Sequence, residues 1–142
     1  LSSAASDVYK RQLLGSDKDM MNIHVMSFGF KHGIPSEADF VIDVRCLPNP
    51  FYVPELKHKT GLDQEVVDFV MGYPEAQELL RRYENFLQYA LPLYVKEGKS
   101  QLTIAVGCTG GKHRSITFAR KLAEYCTSLG YEPGVQHRDA VR

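Results

Sequence analysis

The sequence predicts an α/β fold: a single layered domain with a central sheet flanked by helices. Three observations carry that prediction. Short apolar, β-branched runs alternate along the chain with stretches whose apolar residues recur at helical spacing. One such run, Leu102-Thr103-Ile104-Ala105-Val106, passes through a glycine-rich turn directly into a helical pattern over residues 116–129. The length, 142 residues, is that of one ordinary domain with a real core.

The elements follow in order. Residues 1–19 read as a non-native or disordered leader. They are rich in Ser, Ala and Asp, and Ser6-Asp7-Val8-Tyr9-Lys10-Arg11-Gln12 resembles translated adapter sequence. They lack the apolar core and cleavage site of a secretory signal. The domain is therefore expected over residues 20–142. Residues 22–28 alternate apolar and polar side chains, a strand signal. A turn with Gly29 and Gly33 follows, and Ser36 is expected to cap a short helical turn. Residues 40–44 predict a second buried strand, ending in Asp43-Val44-Arg45. Residues 47–62 carry Pro48, Pro50, Pro54 and Gly61 and read as a long irregular loop, of the kind usually tied to function.

Asp63 is placed to cap a helix running to about Met71. Gly72-Tyr73-Pro74 breaks it, with Pro74 suited to the first turn of the next helix. That helix repeats apolar residues at Leu79, Leu80, Tyr83, Phe86, Leu87 and Ala90, so Tyr83, Phe86 and Tyr89 are expected in the core and His24 in solvent. Pro92 is expected to kink or end it. Residues 96–99 form the turn before the strand at 102–106, and residues 132–137 predict a last strand.

No apolar run approaches the roughly 20 residues of a membrane span, so no membrane partner is expected. Cys46, Cys108 and Cys126 form an odd set without metal-ligand spacing. They point to free thiols in a reducing, cytoplasmic compartment, with no metal and no cofactor. Acidic and basic residues balance at 17 each, but from Gly107 onward six basic residues face three acidic ones. That local excess suits a small anionic ligand or one edge of a nucleic-acid surface; an ordinary solvated helix face accounts equally for Arg120, Lys121 and Glu124.

The site is expected at Cys108-Thr109-Gly110-Gly111-Lys112-His113-Arg114-Ser115. A strand, a glycine turn and a helix N-terminus direct backbone N–H groups and the helix dipole at one point, which favours an anion. Lys112, His113 and Arg114 add donors, and cations at a helix start oppose its dipole unless an anion is present. Loops after Phe28, Val44 and Val106 all leave strand ends and could converge on one crevice. His32 is either a donor to that site or a turn residue. Asp43 and Arg45 either orient ligand hydroxyls or form an ordinary ion pair.

The same loop matches Cys-x5-Arg-Ser, the phosphate loop of cysteine-dependent phosphatases. In that alternative Cys108 is the nucleophile and Arg114 binds the phosphoryl group. Gly107 stands where those enzymes usually carry a His, and only Asp43 and Asp63 are candidates for the general acid.

Six segments in order carry a family resemblance: Phe28-Gly29-Phe30-Lys31-His32-Gly33-Ile34-Pro35, Asp43-Val44-Arg45, Leu47-Pro48-Asn49-Pro50, Thr60-Gly61-Leu62-Asp63, Gly107 through Ser115, and His137-Arg138-Asp139. From about Met20 onward the chain resembles the C-terminal domain of the RapZ/YvcJ family. The resemblance implies a phosphofructokinase-like α/β fold. It implies a regulatory adaptor that binds glucosamine-6-phosphate and small RNAs and presents RNA to a ribonuclease, and a chain that associates with copies of itself. Arg120, Lys121, His137 and Arg138 would then touch RNA. Family members typically carry an N-terminal P-loop nucleotide-binding domain; no GxxxxGK[ST] occurs here. Phe51 replaces a His found in some members, and the end at Arg142 lacks the fuller basic tail of the RNA-binding ones.

Overall fold

In the computed structural model, residues 21–142 are described; the expected leader over 1–19 lies outside them. Four strands pair in parallel: β1 (Asn22–Gly29), β2 (Phe40–Asp43), β3 (Gln101–Cys108) and β4 (Gly134–His137). Their order across the sheet is β2-β3-β1-β4. β1 and β3 are central, and β3 is buried from Leu102 to Cys108, the near-continuous burial that a covered parallel sheet imposes. Three helices flank the sheet: α1 (Gln64–Met71), α2 (Pro74–Glu97) and α3 (Arg114–Ser128). Ile23, Val25, Ile104 and Val106 join Val66, Leu87, Leu91, Phe118 and Leu122 in one core cluster. Each fully buried side chain of this size stabilises by about 1.5–3 kcal/mol. Among the described residues no helix is long and apolar enough to cross a membrane.

Parallel pairing decides where the site lies. Gly29 stands opposite Cys108 and Asp43 opposite Gly107, so the loops after β1, β2 and β3 leave the same end of the sheet. The expected convergence is therefore present.

Several local expectations are corrected. The second strand is a half-buried edge rather than a core strand: Val41 is exposed and only Ile42 is buried. The helical turn falls at Phe30–His32, before Ser36, because Gly33 at φ 93° ends it and donates its N–H to the Phe30 carbonyl. Pro92 does not end α2, which runs on to Glu97. The Pro92 ring and Gln88, whose carbonyl loses its donor, are both exposed, while Leu91 is fully buried and Tyr94 and Val95 pack on the core. Water solvates the freed carbonyl and burial carries the helix onward. Phe86 and Tyr89 are exposed, because only a stripe of α2 faces the core; Tyr83 packs on it in part. His24 is half-buried rather than exposed. Asp63 precedes α1 but accepts from the Thr60 N–H at 2.9 Å, so it braces the loop instead of capping the helix.

Candidate functional site

The loop from Thr109 to His113 joins β3 to α3 and is pressed against the end of β1. A Cβ on Gly29 would come within 2.5 Å of the Gly110 carbonyl carbon, and one on Gly111 within 2.6 Å of the Gly29 nitrogen. Only glycine allows two backbones this close, and Gly111 at φ 82° also needs glycine for its conformation. The Lys31 N–H donates to the Thr109 carbonyl at 3.2 Å, and the Gly61 N–H to the Lys112 carbonyl at 2.8 Å. Behind the loop, the fully buried Asp139 accepts from the Gly29 N–H at 2.8 Å and pairs with Arg138 and Arg142. Burial would raise the Asp139 carboxyl, but Arg138 and the Gly29 amide hold it below the ordinary value.

Arg114 opens α3 and is buried. Its Nη1 donates to the carbonyls of Arg45 at 2.8 Å and Leu47 at 2.9 Å. Its Nη2 reaches Thr109 Oγ1 only at 3.5 Å, and its buried Nε has no hydrogen-bond partner among the described residues. One side of the guanidinium is thus anchored, and among the described residues its Nε/Nη2 side makes only the long contact with Thr109. A buried donor without a partner costs about 1–3 kcal/mol. The first turn of α3 carries no acidic residue and no side-chain cap, so its N-terminal charge is also uncompensated.

In front of the loop is a cavity of about 400 Å³. Cys108, Thr109, Gly110, Lys112, His113 and Arg114 line it. Gly111 and Ser115 stand behind: Gly111 against β1, and the buried Ser115 with its Oγ accepting from Cys108 Sγ at 3.1 Å. His113 is buried, which lowers its pKa against the pull of the Leu56, Lys57 and Lys59 carbonyls.

The remaining candidates lie elsewhere. His32 is half-buried on the side of Asp139, does not line the cavity, and has a buried Nε2 without a partner among the described residues. Asp43 and Arg45 are closed on each other by bonds of 2.7–3.1 Å, which lower the Asp43 carboxyl, and the Arg45 guanidinium stacks 3.8 Å from the Phe30 ring. Arg45 serves the site through its carbonyl, which anchors Arg114. Arg120 donates to the Gly61 carbonyl at 2.7 Å, and His137 Nδ1 lies 2.7 Å from the buried Ser27 hydroxyl. Arg138 holds Asp139 and the Gly33 carbonyl, and Lys121 is 3.9 Å from Glu124.

The sequence reading missed half of the lining: Lys31, Asn49, Phe51, Tyr52, Lys57 and His58. Five come from the long loop whose length marked it as functional, but nothing in their spacing singles them out. Asn49 shapes this wall by accepting from the Phe51 N–H at 3.1 Å, starting the turn Pro50–Tyr52. Neither Asp43 nor Asp63 lines the cavity. Gly107 has no room for a His, because a Cβ there would meet the Phe28 and Phe30 rings at 2.5 and 2.6 Å. Among the described residues, no three His, Cys, Asp or Glu side chains gather as a metal site.

The family model described as RapZ C-terminal domain matches residues 21–141. A protein of Limosilactobacillus reuteri named as a nucleotide-binding protein is 56% identical over 117 residues, covering 82% of this chain and 40% of the relative. One from Desulforapulum autotrophicum, named likewise, is 52% identical over 122 residues, covering 86% and 42%. One from Clostridium novyi, again so named, is 46% identical over 131 residues, covering 90% and 45%. The chain thus spans about two fifths of the length of these relatives.

Proposed function

The chain belongs to the RapZ C-terminal domain family, and from that premise we propose that it is a regulatory binding domain, not an enzyme, holding the phosphate of a small metabolite against the Cys108–Ser115 loop. The observation that carries this reading is Arg114, buried, anchored on one side and unpartnered at Nε, beside an uncapped helix start. An oxyanion there would satisfy the open Nε/Nη2 side, accept from loop amides and oppose the dipole that Lys112 and Arg114 otherwise aggravate. By family, the first ligand to try is an amino-sugar phosphate such as glucosamine-6-phosphate. The wider role proposed is cytoplasmic regulation in a self-associating protein that engages small RNA and a ribonuclease. Arg120, Lys121, His137 and Arg138 are the RNA candidates. Three of them already make bonds within the fold, so RNA binding through them would fall with salt by only a shallow slope.

Calorimetry with inorganic phosphate and glucosamine-6-phosphate tests the site. Arg114→Ala should weaken both by about 10–100-fold, the value of a charge-assisted, bidentate contact. Because that variant also strands two carbonyls, Arg114→Lys is the companion: it keeps a cation near them and removes the forked donor. Unchanged affinity in both variants would end the assignment.

One observation favours a second reading: Cys108 lines the cavity and its thiol contacts Ser115. A phosphatase also needs a group to protonate the leaving oxygen, and no carboxylate lines this cavity among the described residues. Hydrolysis of p-nitrophenyl phosphate that disappears in Cys108→Ser would establish the enzyme; the binding reading expects no turnover in either protein.

A further inference from the structure

Fourteen Lys and Arg side chains are described, and eight of them pair with a carboxylate. Those without a carboxylate partner among the described residues are Lys31, Lys57, Lys96, Lys112, Arg114 and Arg120. Four of these six, Lys31, Lys57, Lys112 and Arg114, line the same cavity, and no Asp or Glu among the described residues lines it with them. Elsewhere among the described residues all but Lys96 and Arg120 are matched; here four are gathered and left unmatched. A phosphate monoester brings about 1.5–2 negative charges at neutral pH, roughly half of what four fixed cations call for.

The four come from different walls. Lys112 and Arg114 belong to the glycine loop that would hold the phosphate, and Lys31 follows the end of β1. Lys57 belongs to the opposite loop, where its ammonium sits 4.8 Å from the centre of the Phe51 ring. It is exposed, and among the described residues that ring is the one contact that holds its ammonium.

We propose that the cavity selects small ligands carrying a second anionic group, phosphate or carboxylate, in addition to the phosphate held at Arg114, and that Lys57 is the residue that sets this preference. The proposal rests on the phosphate-binding reading and names its ligand class. A second anion meets a cation that has no carboxylate partner among the described residues, in a cleft where charges interact more strongly than in bulk water.

The test is calorimetry at neutral pH on the full chain with five probes: inorganic phosphate, glucose-6-phosphate, glucosamine-6-phosphate, 6-phosphogluconate and fructose-1,6-bisphosphate. The last two should bind at least about tenfold tighter than glucose-6-phosphate, the effect of one added charge-assisted contact. In Lys57→Gln that advantage should collapse to within about twofold. Equal binding of the mono- and bis-anionic probes overturns the proposal. So does tighter binding of glucosamine-6-phosphate than of the bisphosphate, or an advantage that survives Lys57→Gln. If inorganic phosphate and glucose-6-phosphate bind and the second anion adds nothing, this proposal alone fails; if no probe binds, the phosphate site itself fails and the proposal with it. A short oligoribonucleotide that displaces the bisphosphate from wild type but not from Lys57→Gln would assign the second subsite to successive RNA phosphates and overturn the small-molecule assignment.

Discussion

Gly29→Ala separates the packing of the loop from its chemistry. Gly29 has φ −106°, so an alanine meets no backbone penalty there. The cost is steric: its Cβ would lie 2.5 Å from the Gly110 carbonyl carbon, 2.6 Å from that oxygen and 2.8 Å from the Gly111 nitrogen. Ordinary contact begins near 3.4 Å, so the loop must retreat from β1 by roughly 1 Å; overpacking on this scale costs about 1–3 kcal/mol. The same retreat moves the loop amides out of the narrow range in which N–H donors hold an oxyanion. Losing one or two charge-assisted bonds of about 1.5–3 kcal/mol each weakens phosphate binding by at least about tenfold. Gly33→Ala is the control. It is strained by φ 93° yet has nothing within 4 Å of its Cβ, so it should lose a comparable 1–3 kcal/mol of stability, about what an enforced glycine-only conformation costs, and keep its phosphate affinity. Urea denaturation and phosphate calorimetry on both variants give the comparison. If Gly29→Ala loses stability and still binds phosphate within twofold of wild type, the loop amides do not hold the anion.

Two further outcomes follow from the packing. His113 is held neutral by burial, with a folded pKa below the ordinary 6.5. The unfolded chain therefore takes up a proton first, and stability should fall as pH drops through about 6.5 towards the lower folded value. Replacing His113 with Gln should flatten that acid limb in urea midpoints measured from pH 7.5 to 5; an unchanged limb would assign it elsewhere, the half-buried His137, also lowered by burial, being the other candidate. Pro92→Ala should stabilise the protein by about 1–2 kcal/mol, because alanine restores a hydrogen bond in the interior of α2 and the roughly 3 kcal/mol propensity gain is partly offset by a freer unfolded chain. A lower urea midpoint for that variant would show that the proline ring packs in a way its exposure does not reveal.

How much of the site could be read in the sequence depends on how local each signal is. Gly110, Gly111, Lys112 and Arg114 belong to one continuous strand–turn–helix segment, so their order along the chain is nearly their order in space. Asp43 and Arg45 were legible as a pair, but their closure on each other and the use of the Arg45 carbonyl depend on β2 lying beside β3. His32 was ambiguous because one step along a turn redirects a side chain: Lys31 lines the cavity and His32 does not. Phe86 and Tyr89 obey helical spacing and are still exposed, since periodicity gives a face but not its width.

By itself the sequence determined the alternation of strands and helices, and the glycine loop with Lys112, His113 and Arg114 gathered at the start of a helix. These rest on periodicity and backbone conformation within a few residues. Tertiary structure alone decided that Lys31 and Lys57 join Lys112 and Arg114 around one cavity, that Arg114 is anchored on one side and open on the other, and that α2 survives Pro92. The physical reason is that charge balance and burial are sums over neighbours in space, and parallel register brings together loop ends that lie far apart along the chain.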